Sequence, residues 1–280
     1  MKLSIITINR DNAEGLRKTM ESVITQTCRD FEYIIIDGAS TDSSVDIIRE
    51  YENTINQSVA IDKFTIQVKW VSEPDSGIYN AMNKGLKMAC GEYTLMLNSG
   101  DYFVNEHVID RIMLELDGTD IIQGNIIKVG AGEERLERGY GKSDISFIDV
   151  MKNHFLHQAS FCRRELFERY GYFDESYKIN GDTVFYAKCL GFGDASFRYV
   201  DINIAFFDIT GISADPEGKW IVLRKEEDER YAHMFSNRMW DLFYKEEKKI
   251  NLYDKLHAHR WSWNLTMAIT HLCNWMYKAK

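Results

Sequence analysis

The chain has 280 residues, enough for one large domain or one domain with an extension, and its 45% hydrophobic content is that of an ordinary globular protein. A formal net charge of -9 excludes a general nucleic-acid binder, because phosphate contacts need basic patches. Five scattered cysteines (Cys28, Cys90, Cys162, Cys189, Cys273) with no Cys-x-x-Cys argue against a zinc cluster or a disulfide framework and fit a reducing compartment. No signal peptide is expected before the first strand, and no apolar run reaches the roughly 18 residues of a membrane span, so the chain is read as cytoplasmic.

The first apolar run, Leu3–Asn9, is rich in isoleucine and predicts a strand. Asn12–Thr27 follows with Leu16, Met20, Val23 and Ile24 at helical spacing. Phe31–Asp37 reads as a second strand, ending in a Gly-Ala-Ser-Thr-Asp turn that can cap a helix over Ser43–Tyr51. Asn53–Asp62 is polar and reads as an exposed loop. Ile66–Ser72 is a third strand, Gly77–Met88 a helix and Tyr93–Leu97 a fourth strand. Strands alternating with helices in this way predict βαβ units and a mostly parallel sheet, hence an α/β fold.

The regular alternation stops after a helix over Glu106–Leu116. Ile121–Val129 reads as a strand, Gly130–Lys142 as a loop or hairpin, Arg164–Tyr170 and Asp182–Leu190 as short helices, and Phe197–Phe207 as a late strand. From about Glu226 the pattern is helical, with one stripe of Tyr231, Phe235, Met239 and Leu242 and a second of Trp261, Leu265, Ile269, Leu272 and Met276. The charge is uneven along the chain. Lys248–Lys280 holds six Lys/Arg against Asp254 alone, so it is +5 and the remainder is -14.

Polar residues cluster where strands end: Thr7, Asn9, Asp37, Asp75, Asn98 and Asp101. In a parallel sheet those ends share one rim, where ligands bind. Asp37 can accept from a ribose hydroxyl or a base N–H, and Asp101 offers the hard oxygen that suits a divalent cation. Each is also a residue type that caps helices and closes turns. There is no Gly-x-Gly-x-x-Gly after the first strand and no Gly-Lys-Ser/Thr loop, so a bound nucleotide would need a metal to offset its diphosphate.

A longer set of motifs carries a resemblance. Ser4-Ile-Ile-Thr-Ile-Asn-Arg10, Tyr33-Ile-Ile-Ile-Asp-Gly-Ala-Ser-Thr-Asp42, Ser72-Glu-Pro-Asp-Ser-Gly-Ile-Tyr-Asn-Ala-Met-Asn-Lys-Gly85 and Gly91-Glu-Tyr-Thr-Leu-Met-Leu-Asn-Ser-Gly-Asp101 stand in order, followed by His157-Gln-Ala-Ser-Phe161, Tyr170-Gly-Tyr-Phe-Asp174 and Gly181-Asp182. Together they resemble the family 2 glycosyltransferases, which have the GT-A fold, over roughly residues 3–215. The branch they resemble acts in bacterial capsule, O-antigen and exopolysaccharide assembly. The resemblance implies a catalytic domain over 1–215 and a C-terminal helical extension over 216–280. It implies an inverting transfer of sugar from a nucleotide-sugar donor, UDP by default, to a hydroxyl of a glycan or lipid-linked acceptor.

It also implies roles. Thr7, Asn9 and Asp37 would hold base and ribose, Asp75 would sit over their edge, and Lys84 would lie near the diphosphate. Asn98, Ser99 and Asp101 occupy the place of the Asp-x-Asp metal motif, where Asn98 and Gly100 replace carboxylates and Asp101 alone remains to hold Mn²⁺ or Mg²⁺. Asp182 matches the general base, His157 and Gln158 would line the acceptor or diphosphate side, and Gly211-Ile-Ser213 resembles a mobile loop. Basic residues and tryptophans on Leu256–Lys280 suit a membrane surface, which would make the enzyme peripheral on the inner face of the plasma membrane; packing on protein is the other use of such a helix. With one carboxylate left in the metal motif, a nucleotide-sugar-binding partner subunit of another transferase is the alternative function.

Overall fold

The structure is a computed structural model that describes residues 1–59, 66–130, 132–152 and 155–209, with Ile221, Lys225 and Lys245 beyond them. The chain divides into two compact units, Met1–Asp228 and Glu229–Lys280. The expected boundary near residue 215, the loop at Gly211–Ser213 and the C-terminal stripes lie outside the described residues.

The first unit opens with β1 (Leu3–Asn9), α1 (Ala13–Ile24), β2 (Phe31–Asp37), α2 (Ser44–Val59), β3 (Gln67–Ser72), α3 (Ile78–Met88) and β4 (Tyr93–Met96). These four strands pair in parallel in the order β3-β2-β1-β4. β1, β2 and β4 are buried along their whole length, as their unbroken apolar runs require of central parallel strands. Leu16, Met20 and Val23 of α1 bury the face set by their helical spacing. Asn12 caps that helix, its Oδ1 accepting from Gly15 N at 3.2 Å. Asp42 receives Ser44 N at 2.9 Å at the start of α2 and Ala13 N at 2.9 Å from the neighbouring helix, so one carboxylate fixes both loops.

α2 is longer than its composition suggests. Residues 53–59, expected to be a loop, extend the helix to Val59, because Ile48, Tyr51 and Ile55 keep the three- and four-residue spacing and Ile55 is buried.

The second half of the sheet runs β5 (Tyr102–Phe103), α4 (Val108–Met113), β6 (Ile121–Gly130), β7 (Glu133–Glu137), α5 (Phe147–Lys152), β8 (Ser160–Arg163), α6 (Glu165–Tyr170), α7 (Gly181–Tyr186) and β9 (Phe197–Asp208). A single 3₁₀ turn, His157–Ala159, leads into β8, and a π-helical stretch, Ala187–Phe192, follows α7. The sheet continues from β4 through β8, β6 and β9 to β5, with β7 hairpinned onto β6. β8 runs antiparallel to both β4 and β6, whereas β6 and β9 are parallel.

One core carboxylate stands out. Glu32 on β2 is fully buried beneath the sheet rim opposite the site. It accepts from Ser4 Oγ at 2.6 Å, Lys69 Nζ at 2.7 Å, Cys90 N at 2.5 Å and Gly91 N at 3.1 Å. Burial works to raise its pKa, and these donors outweigh it and hold the carboxyl below its ordinary value. The cluster ties β1, β2, β3 and the α3–β4 turn together.

Candidate active site

The register of the parallel strands aligns three polar side chains at one rim: Asn9 lies beside Asp37, and Asp37 beside Ser72. Asp37 is fully buried and accepts from Asn9 Nδ2 at 2.9 Å, Ser40 N at 3.0 Å, Ser40 Oγ at 2.5 Å and Ser72 Oγ at 2.6 Å. Burial raises its pKa, but the donors from Ser40, Ser72 and Asn9 win, so the carboxyl sits below the usual range. A carboxylate only accepts, so Asn9 must present Nδ2 to it. Asn9 Oδ1 is thereby turned away, buried and without a partner among the described residues.

The loops after β1 and β2 are locked to one another. Asp11 and Ala39 both carry positive φ, 48° and 55°, without being glycine. Asp11 N donates to Ser40 Oγ at 2.8 Å, and Thr41 N donates to Asp11 Oδ1 at 2.7 Å. Gly38 lies so close to Asp75 that a Cβ there would sit 2.3 Å from its Oδ2. Asp75 in turn accepts from Gly77 N at 3.1 Å and lies 3.9 Å from Arg10.

After β4 the chain makes the tight turn Asn98–Asp101, closed by Asp101 N donating to Asn98 O at 2.9 Å. Gly100 has φ 104°, which explains why glycine stands there. Thr19 of α1 pins the turn, accepting from Gly100 N at 3.0 Å and donating to Asp101 O at 2.7 Å. The Asp101 side chain is buried beside Asp208, whose N donates to Asp101 Oδ1 at 3.4 Å. Burial pushes the Asp101 carboxyl up to about 7; His157 and Gln158 pull the other way. Among the described residues no lysine or arginine pairs with it.

On the far side, the turn before β8 delivers His157. Its Nδ1 lies 3.0 Å from Asp182 Oδ2, at the start of α7, and its Nε2 lies 3.3 Å from Asn98 Nδ2. Tyr79 OH donates to Asp182 Oδ1 at 3.1 Å and also to Ile179 O. Burial would raise the Asp182 pKa, but hydrogen bonds from His157, Thr183 N and Tyr79 hold it below the ordinary value.

These elements enclose one cleft of about 800 Å³, within the range of small-molecule sites. Asn9, Asp75, Asn98, Ser99, Asp101, His157 and Gln158 line it. Thr7, Asp37, Lys84 and Asp182 do not line it. Thr7 points into the core, its hydroxyl donating to Leu97 O at 2.7 Å and lying 3.0 Å from Tyr33 OH. Lys84 turns away to Glu73 and Pro74 O, both at 2.8 Å. Asp37 acts one layer back, on Asn9. The sequence reading missed Arg10, Lys18, Lys178 and Asp208, which do line the cleft. Lys18 Nζ lies 4.0 Å over the Tyr102 ring. Asp208 had a signal, since it ends an apolar strand as Asp37 does; Lys178 sits in a loop with none.

Comparison with known proteins accords with this geometry. An uncharacterised glycosyltransferase of Mycobacterium tuberculosis is 30% identical over 246 residues, 84% of this chain and 87% of its own. A Mycobacterium bovis protein named PGL/p-HBAD biosynthesis glycosyltransferase is 28% identical over 211 residues, covering 74% of this chain and 77% of that one. Among solved structures, Staphylococcus aureus TarS 1-349 in complex with UDP superposes with a TM-score of 0.60 at 20% identity over 74% of this chain. The mannosyltransferase PcManGT from Pyrobaculum calidifontis, in complex with GDP-Man and Mn²⁺, gives 0.56 at 17% identity over 80% of this chain. The chain spans about 60% of each of these two solved structures. The shared architecture is that of the GT-A transferases. Residues 4–190 match glycosyl transferase family 2, and the chain belongs to that family.

Proposed function

We propose that the protein is an inverting transferase that moves a sugar from a UDP-sugar to a hydroxyl of a glycan or lipid-linked acceptor in the building of surface polysaccharide or glycolipid. The observation that carries this is Asn9, which lines the cleft and whose buried Oδ1 has no partner among the described residues. A base N–H or a ribose hydroxyl would supply the missing donor, and Asp37 holds Nδ2 so that Oδ1 stays the acceptor. Asp75 lies beside the same loop and faces the nucleoside edge. TarS has been solved with UDP and with UDP-GlcNAc, which supports the choice of nucleotide.

The residues fit a divalent cation of a particular kind. Asp101 is a buried carboxylate whose burial raises its pKa to about 7, and its oxygen donors suit Mn²⁺ or Mg²⁺. Among the described residues there is no cluster of three acidic, His or Cys side chains to form a full protein cage. Asp101 would therefore anchor a metal whose remaining ligands are the diphosphate and water. The metal would stabilise the charge that builds on the leaving diphosphate. Lys178 and Lys18 stand on the cleft wall to add to that field. Asp182 and His157, joined by a hydrogen bond, supply the base for the acceptor hydroxyl. Direct in-line displacement then inverts the anomeric centre. Among the described residues no helix is long and apolar enough to cross a membrane. The +5 charge on Lys248–Lys280 supports seating 216–280 on an anionic lipid surface, near a lipid-linked acceptor.

A thermal-shift and hydrolysis screen of UDP-, GDP- and dTDP-sugars, with Mn²⁺ and with EDTA, tests the reading. UDP-sugars should shift the melting temperature only with metal present. Failure of every nucleotide-sugar to bind would overturn it. Asp75→Ala should weaken UDP binding by about 1–3 kcal/mol by calorimetry, the loss of one buried charged acceptor. Deletion of Leu256–Lys280 should abolish co-sedimentation with phosphatidylserine vesicles; retention of that binding would remove the lipid role.

A further inference from the structure

We propose that His157 Nε2, and not the Asp182 carboxylate, takes the proton of the acceptor hydroxyl, with Asp182 acting as the positioning residue behind the ring. The inference rests on the glycosyl-transfer reading and assigns the reacting atom within it.

His157 lines the cleft and Asp182 does not. Each Asp182 oxygen already holds a protein donor: Oδ1 the Tyr79 hydroxyl, Oδ2 the His157 ring at 3.0 Å. An ionised carboxylate cannot donate, so the proton between it and His157 belongs to Nδ1. In the neutral ring that leaves Nε2 as the lone-pair nitrogen. Nε2 faces Asn98 Nδ2 at 3.3 Å, a long contact that an entering hydroxyl can replace. The Asp182 carboxyl, held below its usual range by its own hydrogen bonds, is a poor proton acceptor for this step.

The step balances without another reactant. The acceptor O–H bond breaks and its proton moves to Nε2. The oxygen lone pair forms the bond to the anomeric carbon, and the bond from that carbon to the diphosphate oxygen breaks with its electron pair. The imidazolium left behind lies against Asp182, whose charge stabilises it and whose contact fixes the tautomer. The proton then passes to water. Asp75, Asp101, Asp208 and Glu14, with Arg10, Lys18 and Lys178, are the other charged groups that line the cleft, and Tyr79 reaches the ring through Asp182.

The full chain with its best donor from the screen, and water as acceptor, provides the test. His157→Ala should lower kcat for nucleotide release by roughly 100- to 10,000-fold. UDP binding by thermal shift should persist, and added imidazole should restore part of the rate. Asp182→Asn should lower kcat with the donor KM unchanged. Rescue of Asp182→Ala by formate or acetate, with none of His157→Ala by imidazole, would overturn the assignment. A second readout needs no turnover. Long-range ¹⁵N NMR of the histidine ring, assigned with His157→Gln, should show protonation at Nδ1 alone at pH 8; a proton on Nε2 there would overturn the proposal. If the wild-type protein binds no nucleotide-sugar, the transfer reading fails and this proposal with it, a result separable from one in which binding is intact and the wrong residue is rescued.

Discussion

In EDTA, Asp101→Asn should make the protein more stable than wild type at pH 8 and leave the two nearly equal at pH 4. The folded Asp101 gives up its proton only at about 7, against 3.8 for the free group, because burial disfavours its charge. Between those values the folded state binds the proton that the unfolded state has lost. Stability contributed by the protonated carboxyl is therefore complete below pH 4 and drains away as pH rises through 7. Roughly three pH units at about 1.4 kcal/mol each sets an upper bound of about 4 kcal/mol. An asparagine keeps the shape and removes the titration. Mn²⁺ together with UDP should return the lost stability to wild type at pH 8 and give nothing to Asp101→Asn. Denaturant unfolding at pH 4, 6 and 8, with and without metal and UDP, reads all of these; parallel pH profiles for the two proteins would refute the argument.

Glu32→Ala should destabilise the domain by about 3–5 kcal/mol, far from the cleft. Removing one partner from a buried, hydrogen-bonded ion pair strands the rest. Here it leaves Gly91 N, Cys90 N and Ser4 Oγ inside the fold with an acceptor gone, and a void beneath them. Lys69 is partly exposed and can turn to water, so its share of the loss is small. Glu32→Gln keeps the shape and most acceptors and should cost less than half as much. Urea unfolding measures both. Equal losses for the two substitutions would mean that charge, not the stranded donors, dominates.

The first half of the fold was legible in the sequence because its strands are long apolar runs that end in turn residues. β1, β2 and β4 declare themselves, and α1 and α3 carry clear apolar faces. The second half was less so. β5 has two residues and β8 four, too few for any period to register, and β8 reverses direction between neighbours. α2 was cut short because polar residues mask a helix whose inner face needs only Ile48, Tyr51 and Ile55. The strand-end residues Asn9, Asn98 and Asp101, which line the cleft, are picked out in the sequence by position. Lys84 and Thr7 were misplaced because a motif gives a residue's place along the chain and not the side to which it turns. Arg10, Lys18 and Lys178 reach the cleft through tertiary packing, for which no local pattern exists.

The order of strands across the sheet has a consequence for how such a protein can be inherited in pieces. Every strand from β3 to β4 comes from residues before 97, and every strand beyond β4 comes from residues after 101. Along the sheet the backbone crosses from one part to the other once, and that crossing is the Asn98–Asp101 turn. A single recombination point there would graft a different second half onto an intact first half. The crossing would keep its own conformation, since Thr19 of α1, on the first side, holds it. Variation can then accumulate on one side of the joint while the other side stays constant.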